Sequence, residues 1–343
     1  MYPFQPNPRR KTSPRLQPEQ LESRELLTGG AGNTFAIIPG AITKANQPAV
    51  IKFTIDPTHF TIPKGKFTLG VDIVKDPSST LKPMISGLTN SKGIAVLGVK
   101  HSTYAAKLPS ASVVAGSTTS AVLAPIQMDS RNPNGSVTYS VDIKGLQGTT
   151  GNFLLGFYLP GDANGDGKVD STDVATIKKQ LGANGGTSVY NFDSDTNRDG
   201  RIAMNDLNVA KQNLGVSTTV TPTISANLDP ASVTTMTARV TTDRVVHFSG
   251  STTPGAAVKY AEVAGLSQPV ATTADAKGNY NIYVTLGNGS NTFKVTTLDA
   301  FGQSIAGTIA PVVFQTNSAV TPATLNQTAN AAATMTTTTK TTA

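Results

Sequence analysis

Two acidic segments of the chain repeat the same spacing of oxygen-bearing side chains, 33 residues apart. In each segment, loop positions 1, 3, 5 and 12 carry side-chain oxygen, position 6 is glycine and position 8 is aliphatic. A calcium ion takes six to eight oxygen ligands, so a short loop that wraps it must offer an oxygen at nearly every second residue. The glycine permits the sharp bend that such a loop needs. The repeated spacing therefore predicts two calcium sites.

The two predicted loops run over residues 162–173 and 195–206, and their spacing is that of an EF-hand loop. The ligands predicted in the first loop are Asp162, Asn164, Asp166, the backbone carbonyl of Lys168, Asp170 and Asp173. The ligands predicted in the second loop are Asp195, Asn197, Asp199, the backbone carbonyl of Arg201, and Asp206. Because position 9 changes from Asp170 to Ala203, we expect the second loop to bind its ion more weakly. Both loops end on Asp, where an EF-hand usually has Glu.

A helix is predicted after each loop, over residues 172–181 and 206–214. Apolar residues recur there at spacings of three and four, which gives each helix one apolar stripe. The stripes comprise Val174, Ile177 and Leu181 in the first copy, and Leu207, Ala210 and Leu214 in the second. Gly182 and Gly215 follow where a left-handed helix cap would lie. One loop and helix cannot bury its own stripe, so we expect the two helices to pack face to face.

These residues carry a family resemblance. The segment Gly161–Gly215, with "GDANGDGKVDSTDVATIKKQLG" and "SDTNRDGRIAMNDLNVAKQNLG", resembles a type I dockerin, a calcium-binding module of two loop-helix motifs. Pro160 and Gly161 leave no room for a helix before the first loop, as the resemblance requires. It implies an all-α module that binds two Ca²⁺ ions and docks onto a cohesin-like module of a partner protein.

The resemblance also assigns partner-binding positions, at loop positions 10 and 11 and at a pair on the following helix. In the first copy these are Ser171, Thr172, Lys178 and Lys179. In the second copy they are Met204, Asn205, Lys211 and Gln212. The two docking faces therefore differ chemically, which argues against the dual-orientation binding of some dockerins. An open alternative is that the module binds its own neighbouring domains.

Most of the remaining chain alternates apolar and polar residues, which predicts strands. Residues 33–159 are expected to form an antiparallel β-sandwich or jelly roll, with strand patterns at 51–55, 66–73 and 137–144. Residues 222–315 are expected to form a second sandwich. Its segment "ADAKGNYNIYVTLGNGSNTFKVTTLDAFGQS" resembles bacterial Ig-like domains. The predicted fold is thus multidomain and mainly β, with the dockerin-like module at 160–216 between two sandwiches.

The two ends of the chain differ from these segments. Residues 1–32 are basic, and Gln20–Leu27 resembles an export-associated segment of bacterial surface and secreted proteins. Residues 316–343 are rich in Thr and Ala, so we expect a disordered tail. No stretch approaches the roughly 18 apolar residues of a membrane helix.

Composition indicates an extracellular or cell-surface protein without a nucleic-acid role. Charged residues make up 14% of the chain, the net charge is +7, and there is no cysteine. The lysines of the first β segment are scattered rather than clustered, so a solvated surface explains them better than a polyanion site. Calcium sites closed by Asp are expected to fill where calcium is millimolar, outside the cell.

An enzyme is the less favoured alternative, because no catalytic motif is visible. The three histidines, His59, His101 and His247, lie apart in the sequence. A glycosidase carboxylate pair in the first sandwich would have to come from Asp56, Asp72, Asp76, Asp129 and Asp142. Sugar-stacking platforms there would be Tyr104, Tyr139 and Tyr158. Two hypotheses stay open: a non-catalytic docking protein, or a subunit of a polysaccharide-degrading complex whose residues 33–159 contact glycan.

Overall fold

Alternating apolar residues in the first third of the chain build two facing sheets. The computed structural model describes residues 32–102, 106–109, 112–114, 116–128, 135–220 and 224–316. The strands of the first third are β1 (Thr34–Ile42), β2 (Ala49–Ile55), β3 (Phe60–Thr61), β4 (Lys66–Lys75), β5 (Pro83–Asn90), β6 (Lys100–His101), β7 (Ser120–Gln127), β8 (Val137–Gly145) and β9 (Gly151–Tyr158).

A five-stranded sheet in the order β1-β9-β4-β7-β6 faces a three-stranded sheet in the order β2-β8-β5. The pairings described in both sheets are antiparallel. Side chains from both sheets, such as Phe53 of β2 and Phe157 of β9, meet in one core with ring centroids 4.7 Å apart. The predicted antiparallel sandwich is therefore what this part of the chain forms.

The outer face of the five-stranded sheet is also covered, which the sequence pattern did not predict. Gly70 and Asp72 alternate in β4 with the apolar residues that face the sandwich core, yet both are buried and Asp72 is 0% exposed. They are buried because the segments that follow β9 pack back onto this face. Strand β4 is therefore covered on both faces over most of its length.

Two nine-residue helices follow the predicted loops, α1 (Ser171–Lys179) and α2 (Met204–Gln212). Ile177 of α1 packs with Leu207 and Ala210 of α2, so the predicted face-to-face packing is confirmed. The helices end earlier than predicted. Leu181 and Leu214 lie beyond them and are exposed, because the chain has already turned toward Gly182 and Gly215, which have positive φ values.

The module has an internal pseudo-twofold arrangement. The backbone of Ile202 in the second loop pairs with Ala183 after α1, and that of Val169 in the first loop pairs with Val216 after α2. The remainder is loops, one 3-10 turn (Phe192–Ser194), and a short strand β10 (Ser217–Thr218) that pairs with β3 of the sandwich. The predicted all-α character therefore holds only for the two short helices.

The last described part forms a second pair of sheets. Its strands are β11 (Asn227–Leu228), β12 (Val240–Thr241), β13 (Val245–Ser251), β14 (Ala257–Glu262), β15 (Val270–Thr273), β16 (Asn279–Thr285), β17 (Gly289–Leu298) and β18 (Ser304–Phe314). The sheets have the orders β11-β13-β16 and β12-β18-β17-β14-β15, and they share one core that includes Phe248 and Phe293. The β12–β18 pairing is parallel.

The predictions for residues 1–31 and 317–343 fall outside the described residues. Within the described ranges, neither α1 nor α2 has the length and apolar character of a membrane span.

Candidate metal centre and module surfaces

The carboxylate at position 1 of each loop is enclosed by the loop's own backbone. Asp162 Oδ1 accepts hydrogen bonds from the N–H groups of Gly165 (2.8 Å) and Asp166 (3.1 Å), and its Oδ2 accepts one from Gly167 (2.9 Å). In the second loop, the matching Asp195 accepts from Asp199 (3.1 Å) and Gly200 (2.8 Å). Both loops thus curl around their first carboxylate in the same way.

The carboxylate at position 12 ties the end of each loop back to its start. Asp173 accepts hydrogen bonds from the N–H groups of Ala163 (3.0 Å) and Asp170 (2.8 Å). Asp206 accepts from Asn197 (3.3 Å) and Ala203 (2.8 Å). Asp173 and Asp206 are also the N3 residues of α1 and α2, so the first helical turn holds each carboxylate against its loop.

Positions 3 and 5 also match between the loops. The Asn164 amide donates to Asp166 Oδ2 at 3.2 Å, and the Asn197 amide donates to Asp199 Oδ2 at 2.9 Å. The N–H group at position 7 donates to the position-5 carboxylate at 3.0 Å in each loop. Each pair of side chains therefore lies over the bend of its loop.

The two loops differ at position 9, where a helix begins. Asp170 is the N-cap of α1 and accepts from the Thr172 N–H at 2.7 Å. Ala203 is the N-cap of α2 and has no side chain that could accept such a bond. The second loop therefore lacks both a carboxylate and a helix cap.

The electrostatics of the loops fit a divalent cation. Burial, together with the negative charges of Asp173 and Asp193, raises the pKa of Asp162 to about 8, against the hydrogen bond donated by the Gly167 N–H. Burial also raises the pKa of Asp195 to about 7, against a hydrogen bond of 2.7 Å donated by the Tyr190 hydroxyl. Buried carboxylates that repel one another are stabilised by a cation held between them.

The donor set is also appropriate for calcium. Carboxylate, amide and carbonyl oxygens are the ligands of a hard cation, and both loops offer them. Within the described ranges, no three His, Cys, Asp or Glu side chains form a ready-made metal cluster. EF-hand loops complete their ligand set with Asn side chains and a backbone carbonyl, so such a loop binds calcium without three clustered carboxylates.

The two proposed docking faces differ in accessibility. Around α1, Ser171, Thr172, Lys178 and Lys179 are exposed. Around α2, Met204, Asn205, Lys211 and Gln212 are exposed as well, but Val209 between them is buried against Leu123 and Tyr158 of the first sandwich. One side of α2 therefore faces the chain's own β-sheet.

A groove borders α2 where it meets the sandwich. Asn205, Asn208 and Gln212 line a cavity of about 400 Å³ together with Lys100 and His101 of β6. A partner that approached α2 would also meet β6. None of the residues that line this cavity belongs to α1.

The residues considered for catalysis or sugar stacking have other contacts. Asp56 and Asp76 accept hydrogen bonds from Thr58 and Ser78 in local turns. The prediction that Tyr139 and Tyr158 could serve as sugar-stacking platforms was wrong, because both side chains are buried, with exposures of 5% and 0%. Asp129 and Tyr104 lie outside the described residues.

The remaining candidates are not brought together at one site by the contacts described. Asp142 is partly exposed on β8, and His59 and His101 lie near or on β3 and β6. His247 lies in the other sandwich, where its Nδ1 is 3.1 Å from Asp229 and its ring stacks on Tyr283 at 4.6 Å.

Sequence reasoning missed two residues that join the module to the sandwich, Arg198 and Asn213. Both are 0% exposed. Arg198 occupies loop position 4, where the first copy has Gly165. This replacement of glycine by a long charged side chain was visible in the sequence and could have singled out Arg198. Asn213 corresponds in the same way to Gln180, a less informative change.

Comparison with known proteins agrees with the geometry of the module. Residues 160–215 match the family model of the Dockerin type I domain, so this segment is a type I dockerin module. Most of the chain lies outside that match. The chain has no match among curated proteins.

Two solved structures show a weak likeness to the chain. The Bacillus licheniformis lipase BlEst2 in propeptide form has a TM-score of 0.22 and 12% identity, over 84% of this chain and 42% of that one. The BSP domain of a biofilm-associated protein has a TM-score of 0.20 and 14% identity, over 84% of this chain and 53% of that one. The chain thus spans about half the length of these structures, and such low scores establish no shared fold.

Proposed function

We propose that this chain is an exported, calcium-binding interaction protein, whose dockerin module docks onto a cohesin-type partner in an extracellular or cell-surface assembly. The observation that carries the proposal is the pair of matching loops within the dockerin match, each curled around an enclosed Asp. The proposed ligands are the residues predicted for the two loops. Calcium neutralises the clustered carboxylates and thereby holds each loop and its helix in one conformation.

The partner docks through the α1 side of the module. Ser171 and Thr172 begin α1, and Lys178 and Lys179 end it, all of them exposed. The corresponding side of α2 is partly occupied, because Val209 is buried against the sandwich. We infer a single docking orientation, in which Lys178 and Lys179 face acidic groups of the partner.

A binding experiment with and without calcium tests the function. The full chain is titrated with a panel of type I cohesin modules by calorimetry, in 2–5 mM calcium (roughly the extracellular range) and then in excess EGTA. The expected result is saturable one-to-one binding that EGTA abolishes. Failure of the whole panel to bind in calcium, or binding that persists in EGTA, would contradict the proposal.

A further inference from the structure

Arg198 extends out of the second calcium loop and into the first sandwich. It occupies loop position 4, has a left-handed backbone with φ 56°, and is 0% exposed. Gly165 holds this position in the first loop, with φ 73°. A left-handed conformation is unfavourable for a residue with a side chain, so the surroundings of Arg198 must hold it there.

Those surroundings satisfy the guanidinium group on every side. Its Nε lies 3.3 Å from the buried Asp72 carboxylate of β4, and its Nη2 donates to Asn33 Oδ1 at 2.7 Å. Its carbon lies 4.2 Å from the Tyr158 ring centroid and 3.5 Å from that of Phe192. A buried charge is tolerated only with such partners. Arg198 therefore joins the module to β4 and β9 of the sandwich.

The second sandwich meets the other two parts beside this ion pair. Phe301, in the turn between β17 and β18, packs with Phe192 of the module and Val74 of β4. A Cβ atom at Gly156 of β9 would overlap with both Asp72 and Phe301, so these two side chains are neighbours. The Arg198–Asp72 pair thus lies at the junction of all three structural units.

Side chains from the sandwich also fix the backbone of the second loop. The Tyr158 hydroxyl donates to the Thr196 carbonyl at 2.9 Å, and the Ser102 hydroxyl donates to the Asn197 carbonyl. In the first loop, Ala163 corresponds to Thr196. Its carbonyl accepts a hydrogen bond of 3.2 Å from the side-chain amide of Asn191, which belongs to the module itself. Hence side chains of the sandwich hold the backbone of the second loop at these two carbonyls, whereas the first loop contacts the sandwich core through the side chain of Val169.

We propose that the second loop is a calcium-linked clamp between domains: ion binding in this loop and attachment of the module to the sandwich through Arg198 stabilise each other. Ordering a loop before its ligand arrives removes part of the entropy cost of binding. Because such coupling is reciprocal, loss of the ion loosens the junction, and loss of the junction weakens ion binding. The clamp rests on the calcium binding of the proposed function.

The first arm of the test compares matched loop variants of the full chain. Asp195→Ala and Asp162→Ala each remove the position-1 carboxylate of one loop. Hydrogen exchange is followed at amides of the junction, such as Asn33, which donates to Asp193, and Val113, which donates to the Asp299 carbonyl. Asp195→Ala should increase exchange at these amides, as EGTA should in the wild type, while Asp162→Ala should not. Equal effects of the two variants would overturn the clamp.

The second arm tests the reciprocal effect. Arg198→Met with Asp72→Asn removes both charges of the fully buried pair, so that Asp72 is not left as an unpaired charge. The partly exposed Asp193, 3.8 Å from Arg198, keeps its own charge. Lys92→Ala is an exposed-charge control. Calorimetry should show a loss of affinity in one loop only, by roughly 5- to 150-fold, as typical coupling energies imply. Unchanged affinity in a folded double variant would overturn the clamp.

Calcium stoichiometry, measured by mass spectrometry on the same samples, separates this inference from the proposed function. If the wild type binds no calcium at millimolar supply, both ideas fail. If it binds two ions but the junction does not respond to Asp195→Ala, the clamp alone is wrong.

Discussion

The side-chain amide of Asn213 pairs with the backbone of Thr68 in strand β4. The Thr68 N–H donates to Asn213 Oδ1 at 2.7 Å, and Asn213 Nδ2 donates to the Thr68 carbonyl at 2.8 Å. The same Nδ2 donates to the Pro160 carbonyl at 2.8 Å, where the sandwich ends and the module begins. One residue at the end of α2 thus fixes both the connection between the two units and their packing.

Replacing this amide should loosen the module. Asn213→Ala would leave buried backbone groups of Thr68 and Pro160 without this partner, which costs about 1–3 kcal/mol. We expect the opening free energy of the α2 amides, measured by hydrogen exchange in calcium, to fall by about that amount. The control is Gln180→Ala, at the corresponding position after α1. Equal effects of the two variants would show that the contact to β4 contributes nothing.

Removing calcium should unfold the helices but leave the sandwiches intact. The carboxylate that closes each loop lies in the first turn of the following helix. Without the ion, the carboxylates of the loop repel one another and destabilise that turn. In EGTA we expect rapid hydrogen exchange in α1 and α2 and unchanged exchange in β8 and β16. Asp162→Ala should reproduce the effect for α1. Full protection of both helices in EGTA would mean that calcium does not organise this module.

The missing carboxylate at position 9 of the second loop can be restored. Ala203→Asp should cap α2, a change worth about 1 kcal/mol, and should tighten ion binding in this loop. Ala203→Ser separates the two effects, because Ser also caps a helix but adds no charge. We expect both variants to raise the melting temperature and only the Asp variant to raise affinity strongly. Calorimetry of the wild type should show a tighter first loop; two equal sites would contradict that order.

The inferred docking orientation predicts unequal effects of charge reversal. Lys178→Glu with Lys179→Glu places two negative charges on the α1 side and should weaken cohesin binding at least tenfold, with an association rate that depends less on salt. Lys211→Glu is the matched change on α2 and should leave the affinity within about twofold. Plasmon resonance at two salt concentrations measures both. A larger loss from Lys211→Glu would reverse the orientation.

The sequence was most informative where chemistry and spacing coincide. Calcium ligation imposes a fixed order of oxygen donors within twelve residues, so Asp162 and Asp195 could be assigned to equivalent positions without any structure. The strand that contains Phe53 and Ile55 could also be predicted from neighbouring residues alone, because side chains alternate between the two faces of a strand. Helix bounds were less accurate, since Leu181 and Leu214 fit a helical spacing but lie beyond the last turn.

The sequence was least informative about what lies between the units. Asp72 fits a pattern of polar residues on an exposed strand face, and Tyr158 appeared available as a sugar platform. Both are buried because distant segments cover the outer face of β4 and β9. A pattern along one strand records which residues share a face, but not whether another segment covers that face.

By itself, the sequence determined a duplicated loop with the spacing of calcium ligands, each copy followed by a short helix and both set between β-rich segments, because these features depend on neighbours along the chain. The tertiary structure alone decided that Arg198 meets Asp72, which lies 126 positions away. A buried ion pair depends on which surfaces come together and exclude water, and no local spacing encodes that. The same packing buries Val209 on one side of α2 and leaves the proposed docking residues of α1 exposed.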